Sequence, residues 1–135
     1  MPMVSIYLLK GKSAEYIKAL ADGIHSALVA EYDVPPDDRF QRIHQHEPGE
    51  MIYDRSYLAG PRTKDFVLVA ITAGRPRSTD MRRAFFQRAA LELQSAPGID
   101  PANLMIVINT TAPEEWSFGN GLMQMASWPT TGAAQ

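Results

Sequence analysis

Apolar and polar positions change their spacing several times along the chain, and each change marks the edge of an element. Residues 3–9 mix β-branched, aromatic and leucine side chains and stop before Gly11, which predicts a short strand. Ser13 then offers a helix N-cap with Glu15 in the first turn. Ile17, Leu20, Ala21, Ile24, Ala27 and Leu28 fall at i, i+3, i+4, i+7 spacing, so a helix is predicted over 13–31. Val34-Pro35-Pro36-Asp37-Asp38 breaks it, and residues 39–46 alternate as a second strand. The pattern then restarts. Residues 65–72 hold the apolar run Phe66-Val67-Leu68-Val69-Ala70-Ile71, the mark of a buried strand. Ser78 caps a helix carrying Met81, Ala84, Phe85, Ala89 and Leu93, and residues 104–109 form the closing strand.

Sliding the chain by 65 residues lays Val4 on Val69, Ser13 on Ser78, Val34 on Ile99, Pro36 on Pro101, Asp38 on Asn103 and Ile43 on Ile108. Two β-α-β units, about 2–46 and 66–110, therefore share one plan. Their union predicts an α+β fold: one four-stranded sheet with two helices on a single face. The second face stays apolar and uncovered, which predicts packing against further copies of the chain. A single domain over 1–128 and a loose tail over 129–135 complete the expected organisation.

Composition narrows the chemistry. The chain of 135 residues has no cysteine, which removes disulfides, thiolate metal sites and thiol nucleophiles. A net charge of −2 without a Lys/Arg run argues against nucleic acid. The start of the chain has no basic region followed by an apolar stretch, and no apolar run reaches membrane-spanning length, so a cytoplasmic protein without membrane contact is expected.

Pro2 follows Met1 directly. Removal of an initiator Met before proline would leave a secondary amine at the head of a strand, in a class of group that titrates near neutrality, at about 8. Arg75-Pro76-Arg77 follows the buried strand and precedes the Ser78 cap; two guanidinium forks beside a helix start suit a carboxylate, or they are merely solvated loop residues. Asp37 and Asp38 sit where the loop enters the second strand, and each could merely cap a turn. Trp116-Ser117-Phe118-Gly119 reads as a core hairpin or a pocket wall. His44 and His46 alternate on one strand near Glu47 and Glu50, but without a metal-binding motif a structural role is favoured and no metal is expected; His25, on the helix, is read as structural too.

In this order, Pro2, Val34-Pro35-Pro36-Asp37-Asp38-Arg39-Phe40-Gln41, Arg62-Thr63-Lys64-Asp65, Arg75-Pro76-Arg77-Ser78 and Trp116-Ser117-Phe118-Gly119 resemble the malonate semialdehyde decarboxylase family of the tautomerase superfamily. The resemblance implies a homotrimer without a cofactor, acting on a small carboxylic acid. It implies Pro2 as catalytic amine, Asp38 as its carboxylate partner and Arg75 and Arg77 as the substrate clamp. Trp116 and Phe118 would form an apolar wall, with Leu122, Met123 and Met125 where the family has bulkier aromatic groups and Met123 taken among them as substrate-binding, and Gly74 is read as an added residue ahead of the arginines. Relatives implied by the superfamily also hydrate or dehalogenate substituted propenoates or interconvert keto and enol forms. Glu114 or Glu115, with Glu115 preferred, would then orient water. A cytokine-like interaction protein without activity is the reading from a different class.

Overall fold

A computed structural model describes residues 1–126. The expected tail, and the end of the expected domain, lie outside the described residues. Four strands and two helices appear in the order β1 (Pro2–Leu9), α1 (Ala14–Glu31), β2 (Phe40–His46), β3 (Val67–Ala73), α2 (Thr79–Ser95) and β4 (Leu104–Thr110), each within two residues of its sequence-based limits. The sheet order is β2-β1-β3-β4. Strands β1 and β2 pair in parallel, as do β3 and β4, and the two units meet where β1 runs antiparallel to β3.

Local chemistry explains both helix starts. Ser13 Oγ accepts the Tyr16 N–H at 3.1 Å, and Ser78 Oγ accepts the Met81 N–H at 3.1 Å, satisfying donors that have no partner inside the helix. The two helices pack on each other over one face of the sheet. Between them and the sheet lies a core of Val4, Ile6, Leu8, Leu20, Ile24, Leu28, Val69, Ile71, Phe85 and Leu93. The repeat is visible in it: Val4 and Val69 are both buried, and so are Val34 and Ile99.

Alternate residues of each strand face away from the helices. On that open face Tyr7 stacks on His44 with ring centroids 4.5 Å apart, so this histidine packs in the sheet. Phe40, Met105 and Val107, all on that face, are each almost half exposed, at 45%, 48% and 49%. Among the described residues, no helix is long and apolar enough to cross a membrane.

Candidate active site

The topology brings four distant segments to one end of the sheet. Antiparallel pairing sets Pro2 opposite Ala73, so the chain start lies beside the end of β3. Parallel pairing sets Met3 opposite Phe40 and Ala73 opposite Thr110, so the loop into β2 and the segment after β4 arrive at the same end. Pro2, Asp37-Asp38, Gly74 to Arg77 and the 111–118 segment are thus neighbours, although the sequence separates them widely.

With Met1 present, the chain begins in a closed position. Its amino group lies 2.7 Å from Asp38 Oδ2, and the residue is only 2% exposed. Its carbonyl accepts the Gly74 N–H at 3.0 Å. A Cβ at position 74 would stand 2.5 Å from Met1 Cε and 2.8 Å from Met1 Cβ, so glycine here makes room for Met1 itself. Burial pulls the amine below its usual pKa, the hydrogen bond and charge of Asp38 push it back up, and the charges of Arg77 and Arg75 pull it down again. The chain start therefore sits in the field of one carboxylate and two guanidinium groups. Asp38 is held by a turn in which its N–H donates to the Pro35 carbonyl at 3.0 Å. His25 Nε2 donates to the adjacent Pro36 carbonyl at 2.7 Å, so this helix histidine anchors the acidic loop.

The arginines are buried, not solvated: Arg75 is 1% and Arg77 5% exposed. Neither is a simple copy of the other. Arg75 Nη2 pairs with Asp33 Oδ2 at 2.8 Å. Arg77 lies over the Tyr32 ring, 4.6 Å from its centroid, and donates through Nε to the Tyr32 carbonyl at 3.2 Å and through Nη1 to the Arg75 carbonyl at 3.1 Å. Its Nη2 is buried and makes no hydrogen bond among the described residues. Desolvation and the Arg75 charge pull Arg77 down to about 10, still well above neutrality, so it remains a cation. Tyr32 and Asp33, at the end of α1, are site residues that the sequence pattern does not reveal; an acidic residue at the negative end of a helix dipole is the one local oddity that marks Asp33.

A cleft of about 300 Å³ opens beside Met1, lined by Pro35, Asp37, Asp38, Phe40, Phe118, Gln124 and Met125. Phe118 connects its wall, with ring centroids 5.9 Å from Phe40 and 5.6 Å from Trp116, and Trp116 Nε1 donates to Thr111 Oγ1 at 2.6 Å. Gln124 fixes the loop by accepting the Phe118 N–H and donating to the Gly119 carbonyl. Two expectations are modified. Met123 is 53% exposed and does not line the cleft; Met125, buried to 8%, takes that place because the 118–126 segment folds back on itself without helical or strand periodicity. Glu115 Oε1 accepts the Ala112 N–H at 2.7 Å, which employs this carboxylate in closing its own turn, away from the cleft wall. Glu114, its neighbour, is exposed and also absent from that wall. Arg62, part of the motif before β3, braces the 54–62 loop by donating to the carbonyls of Asp54 and Tyr57.

The pseudo-symmetric position is built differently. Asn103 replaces Asp38, accepts the Thr63 N–H at 2.8 Å and donates to Thr63 Oγ1 at 3.1 Å. In place of a chain start, Phe66 continues the chain there, stacked on Tyr53 at 4.2 Å.

Two family models, each described as "Tautomerase enzyme", match this chain, one over residues 38–119 and the other over residues 2–58. The chain belongs to the tautomerase family. The "Probable tautomerase YusQ" of Bacillus subtilis (strain 168) is 35% identical over 125 residues, covering 93% of this chain and 98% of that protein. Among solved structures, malonate semialdehyde decarboxylase superimposes with a TM-score of 0.87 at 31% identity, covering 91% of this tautomerase and 95% of that chain. A second malonate semialdehyde decarboxylase, FG41, solved with the inhibitor 3-bromopropiolate, gives a TM-score of 0.84 at 30% identity, covering 90% and 92%. The relation to that enzyme read from Pro2, Asp38 and the arginine motif thus extends through nearly the whole tautomerase chain.

Proposed function

We propose that this tautomerase, after loss of Met1, decarboxylates malonate semialdehyde or a similar small 3-oxo acid without a cofactor, using the Pro2 amine as acid. The observation that carries this reading is the Met1 amine itself, seated on Asp38 and within the field of Arg75 and Arg77. Removing Met1 transfers the role of terminal amine to Pro2 in the same corner of the fold.

The chemistry follows from those groups. Loss of CO2 breaks a C–C bond whose electron pair must move onto the neighbouring carbonyl oxygen, forming an enolate. A protonated Pro2 beside that oxygen stabilises the developing charge and supplies a proton. Asp38 keeps Pro2 cationic. Arg77 Nη2, buried and without a hydrogen-bond partner among the described residues, has donor capacity for the substrate carboxylate. Tight binding of that carboxylate alone gives no acceleration, since its charge disperses in the transition state. Arg75 and Arg77 therefore act as orienting groups that set the breaking bond across the carbonyl plane, while Phe118 and Trp116 give the departing CO2 an apolar surface. The protein works as a homotrimer, which would cover the open sheet face bearing Phe40, Met105 and Val107.

Hydration of an unsaturated acid is the second reading. Asp37 favours it, because this exposed carboxylate lines the cleft where a water could be oriented, whereas Glu115 is bound to its own turn. Keto–enol tautomerisation would use Pro2 as the base.

Purified Met1-free protein mixed with malonate semialdehyde is the test, with CO2 and acetaldehyde followed and Pro2→Ala and Arg75→Ala run in parallel. Turnover that falls by at least about 100-fold in Pro2→Ala is the expected result. Absence of turnover by the unaltered protein would refute the decarboxylase reading.

A further inference from the structure

The pseudo-twofold relation that laid Asp38 on Asn103 also lays Lys10-Gly11-Lys12 on Arg75-Pro76-Arg77. At each end of the β1/β3 pair, two cations spaced two residues apart follow a strand. Around the first pair lies the amine site described above. Around the second lies a separate cavity of about 380 Å³, lined by Leu9, Lys10, Gly11, Lys12, Pro48, Arg55 and Lys64. Its size is in the range of small-molecule sites.

We infer that this cavity is a second anion site, the non-catalytic twin of the first, which takes a small anion with several oxygens, such as a dicarboxylate or phosphate. Four cationic side chains line it, and no carboxylate is among its walls. Glu47 pairs with Lys10 at 2.7 Å, Asp65 pairs with Lys12, and Glu50 adds negative charge near Lys10. These partners do not exhaust the lysines. An ammonium group has three N–H donors, and each recorded carboxylate contact uses one of them. The exposed Lys10–Glu47 pair also contributes little, so a second anion can share the same cation. Arg55 lies over the Tyr53 ring at 4.8 Å and donates through Nη1 to the Arg62 carbonyl, leaving its other N–H donors for a ligand. Gly11 has φ of +115°, and a Cβ there would meet nothing within 4 Å, so the backbone between the lysines presents an open wall.

The twin lacks what makes the first site reactive. The chain continues through Phe66 where the first unit begins, and Asn103 spends both ends of its amide on Thr63. Binding without chemistry is therefore the expected behaviour, independent of which reaction Pro2 performs.

The test uses protein labelled with 13C-carbonyl lysine and 15N-glycine. Lys10-Gly11 is the one Lys-Gly step in the sequence, so its coupled amide signal reports on this cavity alone. Malonate, succinate and inorganic phosphate are titrated separately, with sodium chloride at matched ionic strength as control. Saturable shifts of the Gly11 amide with at least one of the three, and an affinity reduced about tenfold or more in Lys12→Gln/Lys64→Gln, which keeps the Lys10-Gly11 reporter, are expected. Response to the carboxylates but not phosphate would assign the site to dicarboxylates, and the reverse to phosphate. No saturable shift with any anion, a shift equal to that caused by chloride, or an unchanged affinity in the double variant would overturn the inference. Failure of malonate semialdehyde turnover would leave it standing.

Discussion

Arg75 Nη2 and Asp33 Oδ2 lie 2.8 Å apart, although 42 residues separate them in the chain. Asp33 reaches this position because it leaves α1 with φ of 55°, a left-handed conformation that aspartate tolerates better than most residues. Arg75 is almost completely buried while Asp33 is about one-third exposed, so the carboxylate offsets a desolvated cation from the solvent side. Asp33→Asn preserves size and backbone tolerance but removes the charge. It is expected to cost about 1–2 kcal/mol, reduced from the fully buried case because Asp33 meets solvent. Urea denaturation measures that loss. In the processed enzyme, a positioning role for Asp33 predicts a larger rise in KM than fall in kcat, and Asp33→Glu should restore part of it.

Gly74 gives a test of how the chain start is accommodated. Its hydrogen atom faces Met1, and an alanine methyl would press on Met1 Cβ, Sδ and Cε. Gly74→Ala is therefore expected to destabilise the Met1-bearing chain by roughly 1–3 kcal/mol, the usual range for overpacking, and the Met1-free chain by much less. Comparing the two forms by thermal denaturation separates the contact from any general effect of alanine on the backbone.

The burial of Met1 also bears on when it can be removed. An aminopeptidase needs an accessible terminus, but this amine is paired with Asp38 and the residue is 2% exposed. Folded Met1-bearing protein should resist methionine aminopeptidase for hours, and the same protein should be trimmed rapidly when mildly unfolded. Intact-mass spectrometry reads the outcome directly; equal trimming rates in both conditions would show that the chain start opens freely.

The Met1 amine predicts a pH effect with a definite sign. Its folded-state pKa lies below 8.0, chiefly through burial, so on acidification the unfolded chain takes up this proton first. Between 8.0 and the lower folded value the unfolded state holds more protons, and stability from this group decreases as pH falls. Asp38 opposes the shift. Asp38→Asn should lower the folded pKa further and extend the loss to more acidic pH, visible as a steeper decline of the urea midpoint between about pH 8 and 6. The Met1-free form supplies the baseline for all other titrating groups.

Much of the fold was legible because its determinants are local or periodic. Ser13 and Ser78 announce their helices by chemistry that acts three residues away, and the 65-residue offset lays buried Val34 on buried Ile99. The convergence of the chain start, Asp38 and the arginine motif follows once β1 is known to lie between β2 and β3. What stayed hidden depends on contacts without a period. Nothing near Asp33 in sequence points to Arg75, and nothing in Leu122-Met123-Gln124-Met125 says which methionine turns inward. Glu115 was misleading for the same reason: a carboxylate suited to orienting water is equally suited to accepting a backbone N–H three residues back, as it does from Ala112.

The aromatic wall separates the proposed role of the cleft from general packing. Phe118 is 39% exposed and touches both Phe40 and Trp116, whereas Phe85 is fully buried in the core against Tyr32 at 5.4 Å. Phe85→Ala should therefore cost about 3–5 kcal/mol of stability. Phe118→Ala removes a half-open side chain and should cost less than about 1.5 kcal/mol, yet in the proposed decarboxylation it would deprive the departing CO2 of its apolar surface. The expected signature is a fall in kcat of roughly tenfold with little change in melting temperature, and Phe118→Leu should recover most of the rate because it keeps the surface apolar. A Phe118→Ala enzyme that keeps its kcat would remove the wall from the mechanism and leave its carboxylate chemistry to Pro2, Asp38 and the arginines alone.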